Sequence, residues 1–298
     1  MEKRTVVAII LTYNENTYTV ALTEQLLEDK AVSKIVLVDN SDDKAFLKQN
    51  FDSFDKRSGV YYIQADENGG YAAGNNIGIK YALNNFEEDF FWIINNDIII
   101  QEDSSQEMLK VFNEKGNKII CGSILYYYNQ NDKINDESII QCYGGGWYYH
   151  GIGKSRLALK GENRINLKGI NTPKINFLIG ASMMVHRSIF KEVGLIPEEY
   201  FLYNEELDWQ TRAKSLGYDL VIAKKSEIIH LDSLSTQGKK QWYYYYLNRA
   251  SIILTKKYYW YAIFTVLAYR LFEIIFRTPK LINKKFAFKG IKDGFFYK

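Results

Sequence analysis

Cysteine is scarce in this 298-residue chain: only Cys121 and Cys142 occur. They form no CxxC pair, so zinc-ribbon and dithiol chemistry give way to two reduced thiols in a core. No apolar run behind a basic start is found at the N-terminus, which reads as a cytoplasmic protein. Long uncharged runs are missing from the C-terminal region as well. Its longest, Tyr258 to Tyr269, is 12 residues, whereas a membrane-spanning helix needs about 20. The GxGxxG of dinucleotide folds and the Gly-Lys-Ser/Thr ending of a Walker loop are absent. No nucleic-acid motif accompanies the basic residues, so nucleic acid is not an expected partner.

What is present is a large apolar fraction, 47%, enough to bury the core of one α/β domain with or without an appendage. Charge is divided unevenly. From Lys239 onward 13 Lys and Arg face two acids, a surplus of +11, while the rest of the chain carries −8. The tail interleaves those cations with aromatic residues, as in "WYYYYLNRASIILTKKYYWYAIF". That pattern suits an interfacial helix on an anionic membrane surface, or a helix covering the rest of the chain or a dimer seam. Two units are therefore expected, 1–238 and 239–298.

In the first unit "TVVAIILTYNE", "KIVLVDNS" and "FFWIINNDIII" read as strands buried on both faces. Helical segments from about Tyr18 to Glu28 and Tyr71 to Leu83 alternate with them, which implies a mostly parallel sheet flanked by helices. Each strand ends in polar residues, and open α/β sheets bind ligands beyond the carboxyl ends of their strands. The glycine-rich stretch 143–172 reads as a long mobile loop.

Several residues carry possible chemistry. Asp97 follows a strand, with Asn95 two positions before it, and suits Mg²⁺ or Mn²⁺ if substrate phosphates complete the shell; an Asn/Asp turn is the plain alternative. Asp39 suits contact with a base or ribose, or a turn cap. "ENGGYAAGNNIG" offers glycines for close backbone approach to a ligand or for tight helix packing. His230, with Asp232 and Ser235 behind it, ends another strand-like run. In "YFLYNEELDW", Asn204 would cap a helix to about Leu216, with Gly217 as its stop. Glu206, Trp209, Ala213 and Leu216 then share the inward face, while the helix dipole accounts for Glu205 and Asp208.

Taken in order, "AIILTYNE", "VLVDNS", "ENGGYAAGNN", "INNDI", "FLIGASMMVHRSIFKEVGLIPEEYFLYNEELDWQTRA" and "IIH" resemble the family 2 glycosyltransferases of GT-A fold, rhamnosyltransferase-like branch, over roughly residues 5–250. The resemblance implies that Thr12, Tyr13 and Glu15 frame the nucleotide and that Asp39 contacts its base. Asn40, Asn68, Gly70, Asn75 and Asn96 complete the donor side. Asn95 to Asp97 match the metal motif, usually D-x-D, with Asp97 the expected ligand of Mg²⁺ or Mn²⁺ and His230 beside it. "NEELDW" matches the Glu-Asp motif whose aspartate is the base; here that position is Glu206, with Asp208 a second candidate. Tyr203, Glu205 and Trp209 fall on the acceptor side. Two departures stand out: Asn95 replaces a metal carboxylate, and the base is one methylene longer.

The implied activity is inverting, metal-dependent transfer of L-rhamnose from dTDP-rhamnose. Its acceptor is expected to be a saccharide or lipid-linked saccharide in cell-surface polysaccharide or capsule synthesis at the inner membrane face. A UDP-hexose donor, or a non-catalytic saccharide-binding scaffold, is the alternative. A sugar nucleotidyltransferase would need a glycine-rich triphosphate loop where this chain has "LTYNEN".

Overall fold

The computed structural model describes residues 6–15, 17–43, 59–130, 132–169, 171–231 and 240–297. The β-branched runs form strands where their composition places them: β1 (Val6–Thr12), then α1 (Thr17–Glu28) and β2 (Val32–Asp39). β3 (Val60–Gln64), α2 (Gly70–Asn85) and β4 (Phe90–Asn95) follow. "FFWIINNDIII" makes two strands, because the chain turns at Asn96 and Asp97 before β5 (Ile98–Ile100). Beyond α3 (Ser104–Lys115) come β6 (Ile119–Tyr127), β7 (Ile140–Cys142), β8 (Gly145–Tyr149), β9 (Lys154–Leu157), β10 (Phe177–Leu178) and β11 (Ser182–His186). After α4 (Ser188–Glu192), α5 (Glu205–Ser215) leads into β12 (Asp219–His230).

The main sheet runs β3-β2-β1-β4-β11-β6-β12-β5, with β7 on β6. Its first four strands are parallel. β11 runs antiparallel to both β4 and β6, so the sheet is mixed, and the mostly parallel expectation describes its N-terminal half. Register aligns the strand ends: Thr12 pairs with Asp39, and Leu11 with Asn95. The polar residues that follow each strand therefore arrive at one edge.

Alternation along β1 fills both faces. Val7 and Ile9 join Ile79 and Ala82 of α2, whereas Val6, Ala8 and Ile10 join Leu22 and Leu26 of α1 and Phe112 of α3. Fully burying each of the valine, isoleucine, leucine and phenylalanine side chains contributes about 1.5–3 kcal/mol. Cys121 and Cys142 are buried and unpaired, and burial pushes both thiols up to about 12, so they are packing residues.

The stretch 143–172 departs from expectation. It is not a long irregular loop: β10-β8-β9 form a second, three-stranded sheet. Gly145 and Gly146 sit directly against the carbonyls of Phe177 and Arg156, where a Cβ has no room. Those glycines serve close strand approach, a role that composition alone does not separate from flexibility.

The tail is helical: α6 (Lys240–Tyr258), α7 (Ile263–Phe272), a π-turn over Glu273–Arg277, and α8 (Leu281–Phe296). Ala250, Ile253 and Leu254 of α6 share a core cluster with Tyr148, Phe177, Tyr200 and Leu207. Gly290 and Gly294 bring α8 onto the α6 backbone at Tyr245 and Arg249. None of the described helices is long and apolar enough to cross a membrane. Trp260, Phe264, Phe276, Leu281 and Phe296 are nevertheless each at least 70% exposed.

Candidate active site

A cleft of about 440 Å³ opens at the carboxyl ends of β1, β2 and β4. One wall is built from Thr12, Tyr13, Glu15, Asn40, Asn68, Gly70, Asn95, Asn96 and Asp97, as the sequence predicts. The other consists of Phe201, Leu202, Tyr203 and three residues of α6, namely Trp242, Tyr243 and Tyr246.

Much of the first wall is held by its own polar groups. The Glu15 carboxylate accepts from the amides of Tyr18 (3.0 Å) and Thr19 (3.1 Å), capping α1. Asn96 Nδ2 donates to Thr19 Oγ1 at 2.9 Å and to Thr12 Oγ1 at 3.2 Å. Asn96 is thereby fixed on the β4–β5 turn beside Asp97. Asp39 is wholly buried, accepting from the Ser41 amide (2.8 Å) and the Tyr62 hydroxyl (2.9 Å). It shapes the end of β2 and is not among the residues lining the cleft. Asn75 likewise turns inward, donating to the Tyr71 carbonyl.

Asn40 behaves differently. Its Nδ2 donates to the Gly70 carbonyl at 3.1 Å, while its buried Oδ1 meets no donor among the described residues. Gly70 itself has φ +85°, and a Cβ there would run into the Phe201 carbonyl. Glycine is required at this position for both reasons.

Behind the cleft residue Asp97, His230, which is not itself among the lining residues, brings Nε2 to 3.2 Å from Asp97 Oδ1. The other ring nitrogen, Nδ1, is 2.7 Å from Gln141 Oε1. The Gln141 contact orients the ring so that Nε2 and the Asp97 carboxylate face the same point. Asp97 Oδ1 is buried and, among the described residues, has no other partner. An imidazole nitrogen and a carboxylate oxygen held side by side are a donor pair suited to a cation. The residues fit a hard divalent ion that takes its remaining ligands from substrate phosphates and water. Asn95 ends β4 and lines the same cleft as a neutral neighbour. Asp232 and Ser235 lie outside the described residues.

Three non-glycine residues with positive φ precede α5: Phe201 (66°), Tyr203 (71°) and Asn204 (67°). Such conformations cost on the order of 1–3 kcal/mol each. Asn204 does not cap the helix with its side chain, as expected from sequence; its left-handed backbone turns the chain, and its carbonyl accepts from the Asp208 amide at 2.9 Å. Opposing contacts hold this stretch. The Tyr71 amide bonds the Phe201 carbonyl, Phe201 stacks on Tyr246, and Arg249 Nη1 bonds the carbonyls of Glu199 and Tyr200.

The acidic residues that follow are not a solvated first turn. Glu205 is 3% exposed, and its Oε2 has no partner among the described residues. Desolvation, then the charge of Glu206, push its carboxyl well above the usual range. Glu206 is part exposed, its Cβ lies near Gly180, and desolvation pushes it up to about 7. The two titrate as a pair, in which Glu205 retains the proton and Glu206 ionises near neutrality. Glu206 is near Tyr71 of the cleft wall, whose hydroxyl is pushed well above its usual range by burial first and then by the charges of Glu206 and Glu205; Glu206 itself is not among the lining residues.

Asp208 faces away from the cleft. Its carboxylate receives bonds from Tyr200 Oη, Tyr258 Oη and Lys257 Nζ, each at 2.7 Å. Trp209 is core, stacked on Phe190 with its Nε1 donating to the Gly194 carbonyl. Leu216 is 48% exposed and leaves the inward stripe, because the helix ends at Ser215. Sequence reasoning missed Tyr71, Phe201, Trp242, Tyr243 and Tyr246 as cleft residues. The aromatic density at 242–246 was visible, yet nothing in its spacing relates it to the end of β4.

The Glycosyl transferase family 2 model matches residues 7–194. The low-salt glycan biosynthesis hexosyltransferase Agl10 of Haloferax volcanii is 27% identical over 199 residues, 67% of this chain and 59% of that protein. This chain thus spans about three fifths of that relative's length. The dTDP-rhamnosyl transferase RfbF of Shigella flexneri is 28% identical over 229 residues, 75% of this chain and 68% of its own. Among solved structures, GalNAc-T7 with UDP, GalNAc and Mn²⁺ superposes with a TM-score of 0.69 at 15% identity, covering 98% of this chain and 56% of that one. That likeness concerns the fold, the GT-A arrangement. Since the family model spans β1 to the end of α4 and includes the strand ends that build the cleft, the chain belongs to glycosyl transferase family 2.

Proposed function

We propose that this chain is an inverting, metal-dependent glycosyltransferase that moves L-rhamnose from dTDP-rhamnose onto a saccharide or lipid-linked saccharide in cell-surface polysaccharide synthesis. The observation that carries this reading is the buried Oδ1 of Asp97, a residue of a cleft walled by asparagines and aromatic rings, facing His230 Nε2 at 3.2 Å. Similarity to a dTDP-rhamnosyl transferase supports the donor, and a fold shared with a UDP- and Mn²⁺-bound enzyme supports the metal.

Asp97 and His230 would hold Mg²⁺ or Mn²⁺. An ion held there supplies positive charge that stabilises the departing nucleoside diphosphate. Glu206 accepts the proton of the acceptor hydroxyl as that oxygen bonds the anomeric carbon and the bond to the diphosphate breaks. The configuration inverts in this single displacement.

The first test is nucleoside diphosphate release from dTDP-, UDP- and GDP-sugars with Mn²⁺ and with EDTA. Metal-dependent turnover of dTDP-rhamnose is expected. Turnover of a UDP-hexose instead replaces the donor, and no turnover together with no nucleotide binding leaves a scaffold. Asp97→Ala should weaken Mn²⁺-dependent donor binding by about 10–100-fold; an unchanged Mn²⁺ titration removes Asp97 as the ligand.

The reading includes peripheral attachment to the inner membrane face through α7, the π-turn and α8. Phe264 and Phe276 are 81% and 72% exposed, in a segment with Arg277, Lys280, Lys284 and Lys285. Apolar side chains among cations suit an anionic lipid surface. Flotation with phosphatidylglycerol vesicles should be strong for the wild type and lost in Phe264→Ser/Phe276→Ser. Equal flotation by both removes the proposal, and a wild-type dimer that the variant dissolves assigns this face to a second copy.

A further inference from the structure

A second hollow, of about 330 Å³, adjoins the donor cleft, and Tyr243 lines both. The Tyr243 ring stands edge-on to Tyr203 at 5.6 Å, so these two tyrosines form the partition. Asn204, the residue just before the Glu205–Glu206 pair, lines the hollow.

Three cations line it too: Lys154 of β9, Arg270 of α7, and Arg277 at the end of the π-turn. Only one acid, Glu273, is among the described lining residues. Its carboxylate lies 3.2 Å from Lys154, 3.2 Å from Arg270 and 3.8 Å from Arg277. Arg270 is also engaged by the Gly153 carbonyl and the Ser251 hydroxyl and has a side chain only 5% exposed, so it is part of the scaffold. Lys154 also bonds the Tyr269 hydroxyl at 2.9 Å and Arg277 lies over the Phe272 ring, yet their side chains remain 42% and 60% exposed and open to the hollow. Sharing one carboxylate among three cations leaves two positive charges without a counterpart in the hollow. A doubly charged anion would complete it.

We propose that this hollow is the acceptor subsite for a phosphate or diphosphate ester, with Lys154 and Arg277 as its ligands. The inference rests on the transferase reading of the donor cleft. It places the acceptor's anionic group on one side of the Tyr203–Tyr243 partition and the donor sugar on the other, with Glu206 behind the same loop. The π-turn that carries Arg277 also exposes Ile275 and Phe276, which gives an apolar chain on the ester a surface to follow.

The test uses the full chain in EDTA, without donor, titrated calorimetrically with geranyl diphosphate and with inorganic pyrophosphate. In Lys154→Gln/Arg277→Gln, geranyl diphosphate affinity should fall by about tenfold or more. Asp97→Asn should leave it unchanged, and dTDP binding with Mn²⁺ should be unaltered in the double variant. Undiminished affinity in the double variant, or loss of affinity in Asp97→Asn, overturns the proposal. Tighter binding of geranyl diphosphate than of pyrophosphate assigns the subsite to a lipid-linked ester; equal binding assigns it to a soluble one. Acetylation of wild-type Lys154, read by mass spectrometry, guards against a variant that does not fold: geranyl diphosphate should protect it, and no protection overturns the assignment. Nucleotide release in the donor assay is independent of these titrations, so failure here and failure of the transferase reading are distinguishable.

Discussion

Glu206→Gln lowers sugar transfer by about 10²–10⁴-fold, the usual contribution of a general base, while nucleotide binding persists. The amide keeps the shape of the side chain and its contact near Gly180 but cannot accept the proton. The pH profile provides the sharper evidence. A base must be ionised, and burial raises Glu206 to about 7. Wild-type kcat/KM therefore climbs with pH, about tenfold per unit below that value, and levels off above it. The residual activity of the Gln variant lacks this limb. A wild-type rate flat from pH 5 to 8, or a variant within about twofold of wild type, removes Glu206 as the base.

Asp208→Ala is expected to cost about 3 kcal/mol of stability. Removing one partner of a buried ion pair typically costs about 3–5 kcal/mol; the lower end applies because Lys257 is part exposed and is able to turn toward water. The Asp208 side chain is fully buried and accepts two tyrosine hydroxyls as well as the ammonium. It fastens α5 to α6 directly below the left-handed residues that lead to Glu206. Urea unfolding should show a lower midpoint with an unchanged slope. A double-mutant cycle with Lys257→Met should show a coupling of about 1–3 kcal/mol. An Asp208→Asn variant of native midpoint with transfer abolished would falsify this structural role and return Asp208 to the chemistry.

The same contacts explain why the tail is not simply an appendage. Arg249, Lys257 and Tyr258 hold the carbonyls and the carboxylate around residues 199–208, while Trp242, Tyr243 and Tyr246 form a cleft wall. The strain at Phe201, Tyr203 and Asn204 persists because α6 and Tyr71 constrain that loop from both sides.

The first wall was legible because local pattern and position coincide there. A β-branched run followed by Asn or Asp marks the end of a buried strand, and parallel pairing brings such ends to one edge whatever the remaining topology. Thr12, Asn40, Asn95 and Asp97 could thus be named before any contact was known. Asp39 and Asn75 belonged to the same motifs but turn inward, since a motif position does not record which face its side chain takes.

Helix periodicity likewise placed α5 and its end near Gly217, and it put Trp209 and Ala213 inside. It had no means of showing that Glu205 and Asp208 are buried too; Asp208 meets Lys257 and Tyr258 of α6, a helix more than thirty residues away. By itself the sequence determined the strands that lead to the first wall, their polar ends, the family and the charge division along the chain, but not the second sheet. Tertiary structure alone decided which carboxylate is left unpaired beside the cleft and which is neutralised by Lys257. It also decided that the basic aromatic tail closes the site, because those outcomes depend on long-range packing and desolvation, neither of which leaves a periodicity in the chain.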